Sequence, residues 1–305
     1  MATTRFDPGL TERYAGRLSK TILPDGSFNV RREGGHWRDA GWFRHFMNLS
    51  WPAFLLQTPT IYLGVITLFA LAYLSAGVEH LQGAAHSTPW ESWWSAFFFS
   101  VQTFTTVGYG HIAPASFLAS VIAAVEAMSG ILSLAIATGL IYARFSRPRA
   151  CLAFSANALI APFQNGQALM LRVANRRPNV LMDLEAKLLL MTVVEEDGQL
   201  KRRYSQLALE REIVYFLPLA WTLVHPIDQY SPLYGKTPED LARDQAEFLV
   251  LIKAFDDTFS QTVHARASYA THDLVWNARF QPAFRIDPSG QLVLQLDQLN
   301  DYLPA

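Results

Sequence analysis

Thr105-Thr106-Val107-Gly108-Tyr109-Gly110 is the stretch whose residue types and spacing could do chemistry. A cation gives up its water only if other oxygens replace the hydration shell. A short extended backbone with its carbonyls turned to one side can supply them. The Thr106 hydroxyl can add one more at the end of the row. Glycines at 108 and 110 allow backbone angles that a Cβ would resist, so successive carbonyls can face one axis. The ordinary alternative is a β-turn in a water-soluble protein, since Gly-Tyr-Gly is common turn material. The flanking sequence decides between them.

The chain has 305 residues, half of them hydrophobic, and a formal net charge of −1. That length suits about two domains. The near-neutral balance gives no reason to expect nucleic acid as a partner. The placement of charge says more. From His45 to Ala143 there is no Lys or Arg, and the acidic residues there are Glu79, Glu91 and Glu126. Water-soluble domains do not leave so long a stretch almost uncharged. The single cysteine, Cys151, excludes an intramolecular disulfide and fits a reducing compartment. No His or acid is obviously paired with it, which favours a structural thiol over a catalytic one. Arg5, Arg13, Arg17 and Lys20 have no apolar segment behind them, so the amino terminus does not read as a cleavable signal peptide.

The elements around 105–110 follow from this window. Residues 52–78 are apolar and long enough for a bilayer that needs about 20 residues. Pro52 suits the first turn of a helix, and Gln57, Thr58 and Pro59 are tolerable if they face other protein. A polar turret follows at 79–89. Residues 90–104 predict a helix too short to span, capped by Ser87 or Thr88, with Glu91 in its first turn. Residues 114–145 predict a second span, rich in small residues that let helices pack closely. A short helix, a glycine-bearing loop and a full span make a re-entrant segment. Irregular backbone at membrane depth is allowed where it is shielded or lines a water-filled path. The negative end of the short helix would favour a cation.

The flanks complete the organisation. Residues 1–37 read as an irregular arm, in which 23–33 could pair as a short strand. In 38–51, Trp42, Phe43, Phe46, Leu49 and Trp51 lie at helical spacing among Arg38, Arg44 and His45, as in a helix on a membrane surface. Arg and Lys cluster outside the spans and not between them, so both termini are expected on the cytoplasmic side. In 146–305, alternating runs at 168–174, 187–194, 247–254, 261–267 and 292–296 are punctuated by turns at Asn165-Gly166, Asp197-Gly198 and Pro288-Ser289-Gly290. They predict a β-sandwich, with one helical turn at 238–243. His225 with Asp228, His264, and His272 with Asp273 could suggest a metal or catalytic site. Their spacing supports neither, and a sandwich holds such residues as polar core or contacts between subunits.

Thr106 to Gly110 match the potassium-channel selectivity filter, a match that chance would give in on the order of one chain in ten thousand. One such strand supplies a quarter of a ring, so the motif implies four copies around an axis. Two spans, the re-entrant helix, the surface helix and the β-rich tail together resemble a prokaryotic inward-rectifier potassium channel of the KirBac class, over residues 20 to 300. The tail contributes Arg172-Val-Ala-Asn175, Trp221-Thr-Leu-Val-His-Pro-Ile-Asp228 with Ser231-Pro-Leu-Tyr234, and His264-Ala-Arg266.

The resemblance implies a membrane α-helical pore, two transmembrane helices plus a re-entrant pore helix, with a C-terminal all-β immunoglobulin-like sandwich. It implies a homotetramer in a bacterial inner membrane that conducts K+ and is not an enzyme. The ion would be held by Thr106, Val107, Gly108 and Tyr109, within a filter of 105–110 that begins at Thr105, and no organic cofactor is called for. The 38–51 helix looks like the family's slide helix. Leu134, Thr138 and Tyr142 share one face of the second span, and Tyr142 lies where four bulky side chains could close the pore. Leu134 stands where strongly rectifying relatives carry an acid, which argues against strong voltage-dependent block. Gly130 resembles the hinge position, although simple helix packing would also explain it. Arg144, Arg147 and Arg149 match positions that bind anionic lipids, phosphoinositides among them; an ordinary cluster of cytoplasmic cations would explain them too. In bacterial members such lipids inhibit rather than activate, so the resemblance implies modulation by lipid without fixing its sign.

Animal relatives brace the filter with an acid–base pair, and here Gln102 and Ile112 stand at those positions. Glu126 is expected to compensate. An acid inside a span is costly and seldom idle. It is placed behind the filter, hydrogen-bonded to backbone or a hydroxyl; the alternative is an ion site facing the cavity. Two rival readings use the same scaffold: a weakly selective cation channel, and a membrane-anchored ligand sensor.

Overall fold

Hydroxyl caps set the starts of the long helices. The computed structural model describes residues 8–14, 16, 20–31, 33–34, 41–146, 150–196 and 198–305. These fall into two compact units, one of residues 33–147 and one that joins the arm up to residue 32 to the chain from 148 onward.

In the first unit, α1 (Trp42–Asn48) is a short amphipathic helix with no buried residue. Of the helix expected over 38–51, residues 38–40 lie outside the described residues, Trp42–Asn48 is helical, and Trp51 belongs to the next element. Ser50 caps α2 (Trp51–Ala76), accepting from the Ala53 N–H, with Pro52 in the first turn. Thr88 caps α3 (Pro89–Phe104) by accepting from the Glu91 N–H, and the Glu91 carboxylate accepts in return from the Ser87 N–H. Ser116 caps α4 (Phe117–Phe145). The second span thus starts at Phe117, not at Pro114. Pro114 instead lies in β2 (Ala113–Pro114), which pairs with β1 (Leu81–Gln82) in the turret. The most apolar 18-residue windows of α2 and α4 have mean hydropathies of 1.7 and 1.9. At about 1.5 Å rise per residue, each helix exceeds a hydrocarbon core of about 30 Å. They are long and apolar enough to cross a membrane. Between them α3 packs through small contacts, with Ala70, Tyr73, Ala96, Phe99 and Ala119 in one buried cluster.

The second unit is a sandwich. Its strands are β3 (Leu152–Phe154), β4 (Ala158–Phe163), β5 (Gly166–Asn175), β6 (Leu181–Glu196), β7 (Gln199–Leu207), β8 (Ile213–Phe216), β9 (Ala220–Ile227), β10 (Glu247–Asp256), β11 (Gln261–Ala270), β12 (Leu274–Trp276), β13 (Ala278–Phe280), β14 (Phe284–Ile286), β15 (Leu292–Leu294) and β16 (Tyr302–Pro304). One five-stranded sheet runs β11-β10-β6-β7, with β8 also on β6. The other runs β12-β4-β5-β3, with β9 on the free edge of β5. Pairing is antiparallel except for β12 with β4. Alternate residues face inward: Leu169, Leu171 and Val173 of β5 meet Leu184, Ala186, Leu188 and Leu190 of β6 and Phe248, Val250 and Ile252 of β10 in one core. Helix α5 (Pro238–Arg243) carries a capping box between Thr237 and Asp240.

The amino-terminal arm covers the outer face of the β10–β6–β7 sheet. Ile22 packs with Met191, Tyr204 and Leu249, with Leu10 beside them. Thr21 donates its N–H and its hydroxyl to the two oxygens of Glu247, each at 2.6 Å. Lys20 pairs with Asp273 at 2.6 Å. Among the described residues of 23–33 the expected short strand does not form. Leu23 to Ser27 closes as a tight turn, and a single bridge joins Ile22 to Phe28. Pro24-Asp25-Gly26 and the Asp25 carboxylate bound to Ser27 explain the turn.

Candidate functional site

The filter stretch begins where α3 runs out of helical partners. A helix leaves its last carbonyls unpaired, and here the following residues take them up. Thr105 N–H donates to Val101 O, Thr106 N–H to Thr103 O at 3.1 Å, and the N–H groups of Val107 and Gly108 both donate to Gln102 O at 3.0 and 3.2 Å. Among 105–110, Thr106, Gly108 and Gly110 have positive φ, at 60, 54 and 80°, and the residues between them do not. A strand points successive carbonyls to opposite sides. A chain that alternates in hand can point them to the same side, which a row of ion ligands requires. Thr106 is a β-branched residue in the left-handed region, a conformation that costs about 1–3 kcal/mol and persists where its surroundings hold it. Tyr109 and Val107 are exposed in the single chain.

Two backbone contacts fix the stretch from outside. The Ala115 N–H donates to His80 O at 2.7 Å, joining the turret to the segment after the filter. On the other side, the Phe104 carbonyl packs against Gly130 of α4.

Glu126 is fully buried. Tyr73 of α2 donates to Glu126 Oε2 at 2.6 Å. Ser100 of α3 contacts Glu126 Oε1, and its hydroxyl lies 2.9 Å from Ile66 O of α2. One carboxyl thus joins α2, α3 and α4. The sequence points to Glu126 but not to Tyr73 or Ser100. Their signal is a polar group inside an apolar segment, which needs a partner across helices. Gln102 contributes its carbonyl to the filter amides, and Ile112 packs beside the α2–α3 cluster.

Leu134, Thr138 and Tyr142 are all exposed on one face of α4, while Ala119, Glu126, Gly130 and Leu140 are buried. Arg144 lies within the same unit at the end of α4. Its guanidinium donates to Phe46 O and, at 2.9 Å, to Leu49 O, and it stacks over Trp51 and Phe54 at 4.7 and 4.6 Å. Arg147 and Arg149 lie outside the described residues.

The histidines of the sandwich separate. His225 is buried: its Nδ1 lies 2.6 Å from Ala208 O and its Nε2 2.8 Å from the Ser231 hydroxyl. Burial holds its pKa below the ordinary value. His272 forms an exposed pair with Asp273. Among the described residues no group of three or more His, Cys, Asp or Glu could hold a metal ion.

Residues 152–303 match the family model "Inward rectifier potassium channel C-terminal domain", and residues 61–147 match the model "Ion channel". The chain is 37% identical over 290 residues to inward rectifier potassium channel Kirbac3.1 of Paramagnetospirillum magnetotacticum, over 93% of this chain and 96% of that protein. It is 29% identical over 264 residues to ATP-sensitive inward rectifier potassium channel 12 of Bos taurus, over 80% of this chain and 61% of that protein. Inward rectifier potassium channel 4 of Mesocricetus auratus is 31% identical over 197 residues, 61% of this chain and 44% of that protein.

Proposed function

The chain belongs to the inward rectifier potassium channel family, and on that premise we propose that four copies surround one axis and conduct K+ passively through Thr106–Gly110. The observation that carries this reading is the backbone of the filter stretch. It alternates in hand, is tied by its N–H groups to the end of α3, and stands between two helices of membrane-spanning length. A dehydrated ion needs oxygens on every side, and one strand offers a single column. The motif occurs once in the chain, so the other columns come from other copies. The carbonyls of Thr106, Val107, Gly108 and Tyr109, with the Thr106 hydroxyl, serve as ligands. Conduction is downhill and involves no organic cofactor and no chemical step.

The exposed Leu134–Thr138–Tyr142 face of α4 lines the pore below the filter, and Tyr142 narrows it. Leu134 offers no charge to an organic cation or Mg2+, so block from the inside is weak. The β unit, with its arm, moves the gate, and anionic lipids act through Arg147 and Arg149. Both termini face the cytoplasm of a bacterial cell, in keeping with the cation clusters outside α2 and α4.

The test is 86Rb+ uptake into liposomes holding the purified chain, with barium, with sodium in competition, and with and without phosphoinositide. Barium-sensitive Rb+ uptake that excludes Na+, and that Gly108→Ala abolishes, is expected. Equal Na+ entry would replace this reading with a weakly selective cation channel.

A further inference from the structure

The outer face of the β10–β6–β7 sheet holds a cavity of about 400 Å³ beneath the amino-terminal arm. Strand register explains its walls. Tyr204, Met191, Glu247 and Ala270 form one row across β7, β6, β10 and β11. Two residues along, Arg202 pairs with Val193, and Gln245 and His272 lie just beyond the ends of β10 and β11. Strand alternation brings both rows to the same face. Met191 and Val193 give an apolar floor, and Tyr14 of the arm stands over it.

The charges in this cavity are unequally satisfied. Arg202 is only 9% exposed. Its guanidinium donates from Nη2 to Gly16 O at 3.3 Å, interacts with the Tyr204 hydroxyl and lies 6.0 Å from the Tyr14 ring. Among the described residues no carboxylate pairs with it. A nearly buried cation without a counter-charge is costly, and a bidentate carboxylate is the group that fits a guanidinium. Glu247 is 4% exposed and accepts two bonds from Thr21. A carboxylate has about four lone-pair sites, so it retains capacity for a further donor. Tyr14 and Gln245 bond each other at 3.1 and 3.3 Å and present amide and hydroxyl edges.

A cation and an anion lining one cavity select a ligand that carries both charges. A polyanion would meet Glu247, and a plain cation would meet Arg202. Small-molecule pockets span about 300–1,000 Å³, and this one is in that range. We propose that the cavity binds a small zwitterion of α-amino-acid type, its carboxylate on Arg202 and its ammonium toward Glu247. Tyr14 and Thr21 both belong to the arm, so a bound ligand also fastens the arm to the sheet. In sequence that arm leads into α1, which makes the cavity a place for a metabolite to act on the channel.

The experiment uses the purified full chain in detergent, with L-phenylalanine, L-glutamine and L-lysine as separate probes, read by calorimetry and thermal shift. At least one is expected to bind saturably with Kd below about 10 mM. Arg202→Gln weakens that binding at least about tenfold, as loss of a charge-assisted pair does. The α-amide of the same amino acid, which lacks the carboxylate, does not bind. Tyr14→Ala, a change on the arm that leaves the sheet intact, weakens it as well. No binding by any of the three, or binding that is equal for the amide and in both variants, overturns the proposal. The readout is binding and not flux, so it stands or falls separately from ion conduction.

Discussion

The carbonyl oxygen of Phe104, the last residue of α3, occupies the space that a Cβ on Gly130 of α4 would need. Helix α4 is unbroken from Phe117 to Phe145, so this glycine serves a close approach between the pore helix and the second span. That contact sits directly behind the first filter residues. The obstructing atom belongs to the backbone and cannot swing aside. Gly130→Ala is therefore expected to cost about 1–3 kcal/mol by overpacking, to lower the unfolding temperature in detergent and to reduce Rb+ flux. A pure hinge role would change the open fraction and leave the unfolding temperature where it was.

Glu126 makes a second prediction through hydrogen-bond counting. Ser100 has one hydroxyl proton, and Ile66 O is placed to take it. The same hydroxyl contacts Glu126 Oε1, while Tyr73 donates to the other oxygen. A glutamine can repeat both bonds, amide N–H to Ser100 and amide oxygen from Tyr73. Glu126→Gln should keep Rb+ flux within about twofold, with selectivity intact. Glu126→Ala leaves the Tyr73 hydroxyl without its acceptor beside a cavity and should cost about 2–5 kcal/mol. Thermal unfolding and the Rb+/Na+ uptake ratio check both. A dead but well-folded Glu126→Gln channel would show that the carboxyl acts by its charge.

Arg144 holds the end of α1. Both of its terminal nitrogens meet carbonyls at that end, which a short helix leaves exposed. Arg144→Gln should cost about 1–3 kcal/mol. Arg144→Lys should not restore it, because a lysine lacks the planar fork and the stacking on Trp51 and Phe54. The phosphoinositide response should survive both changes. Loss of that response with stability unchanged would assign Arg144 to lipid binding, as the resemblance implies.

What the sequence revealed depended on range. The capped short helix and the uncharged apolar segments are local patterns, and helices form over them. The run from Phe248 to Ile252 is apolar at every position, which fits a strand covered on both sides. Its second cover, Ile22 on the arm, is more than 200 residues away, and no periodicity encodes it. Tyr73, Ser100 and Glu126 are likewise separated by tens of residues. Strands β3, β12 and β13 have three residues each, too few to show an alternation. Pro114 lies at the start of the apolar run expected as the second span; its pairing with Leu81 depends on the turret fold.

His225 predicts how the sandwich responds to pH. The neutral ring donates from Nδ1 to Ala208 O and accepts at Nε2 from Ser231, whose oxygen also accepts from the Leu233 N–H. A proton on Nε2 would turn the Ser231 hydroxyl hydrogen away, its oxygen then accepting from both Nε2 and the Leu233 N–H. Burial lowers the pKa, and the bond to Ala208 and the charge of Asp228 offset only part of that. The folded ring therefore binds its proton at lower pH than the unfolded ring, whose pKa is about 6.5. Between those two values the unfolded chain binds more protons, so stability falls as pH drops below about 6.5 and is unaffected above it. Unfolding temperatures of the full chain from pH 8 to 5 should decline over that window, and His225→Gln, which cannot take up the proton, should flatten the decline while lowering stability at pH 8. An equally steep decline in His225→Gln would assign the acid sensitivity to another group.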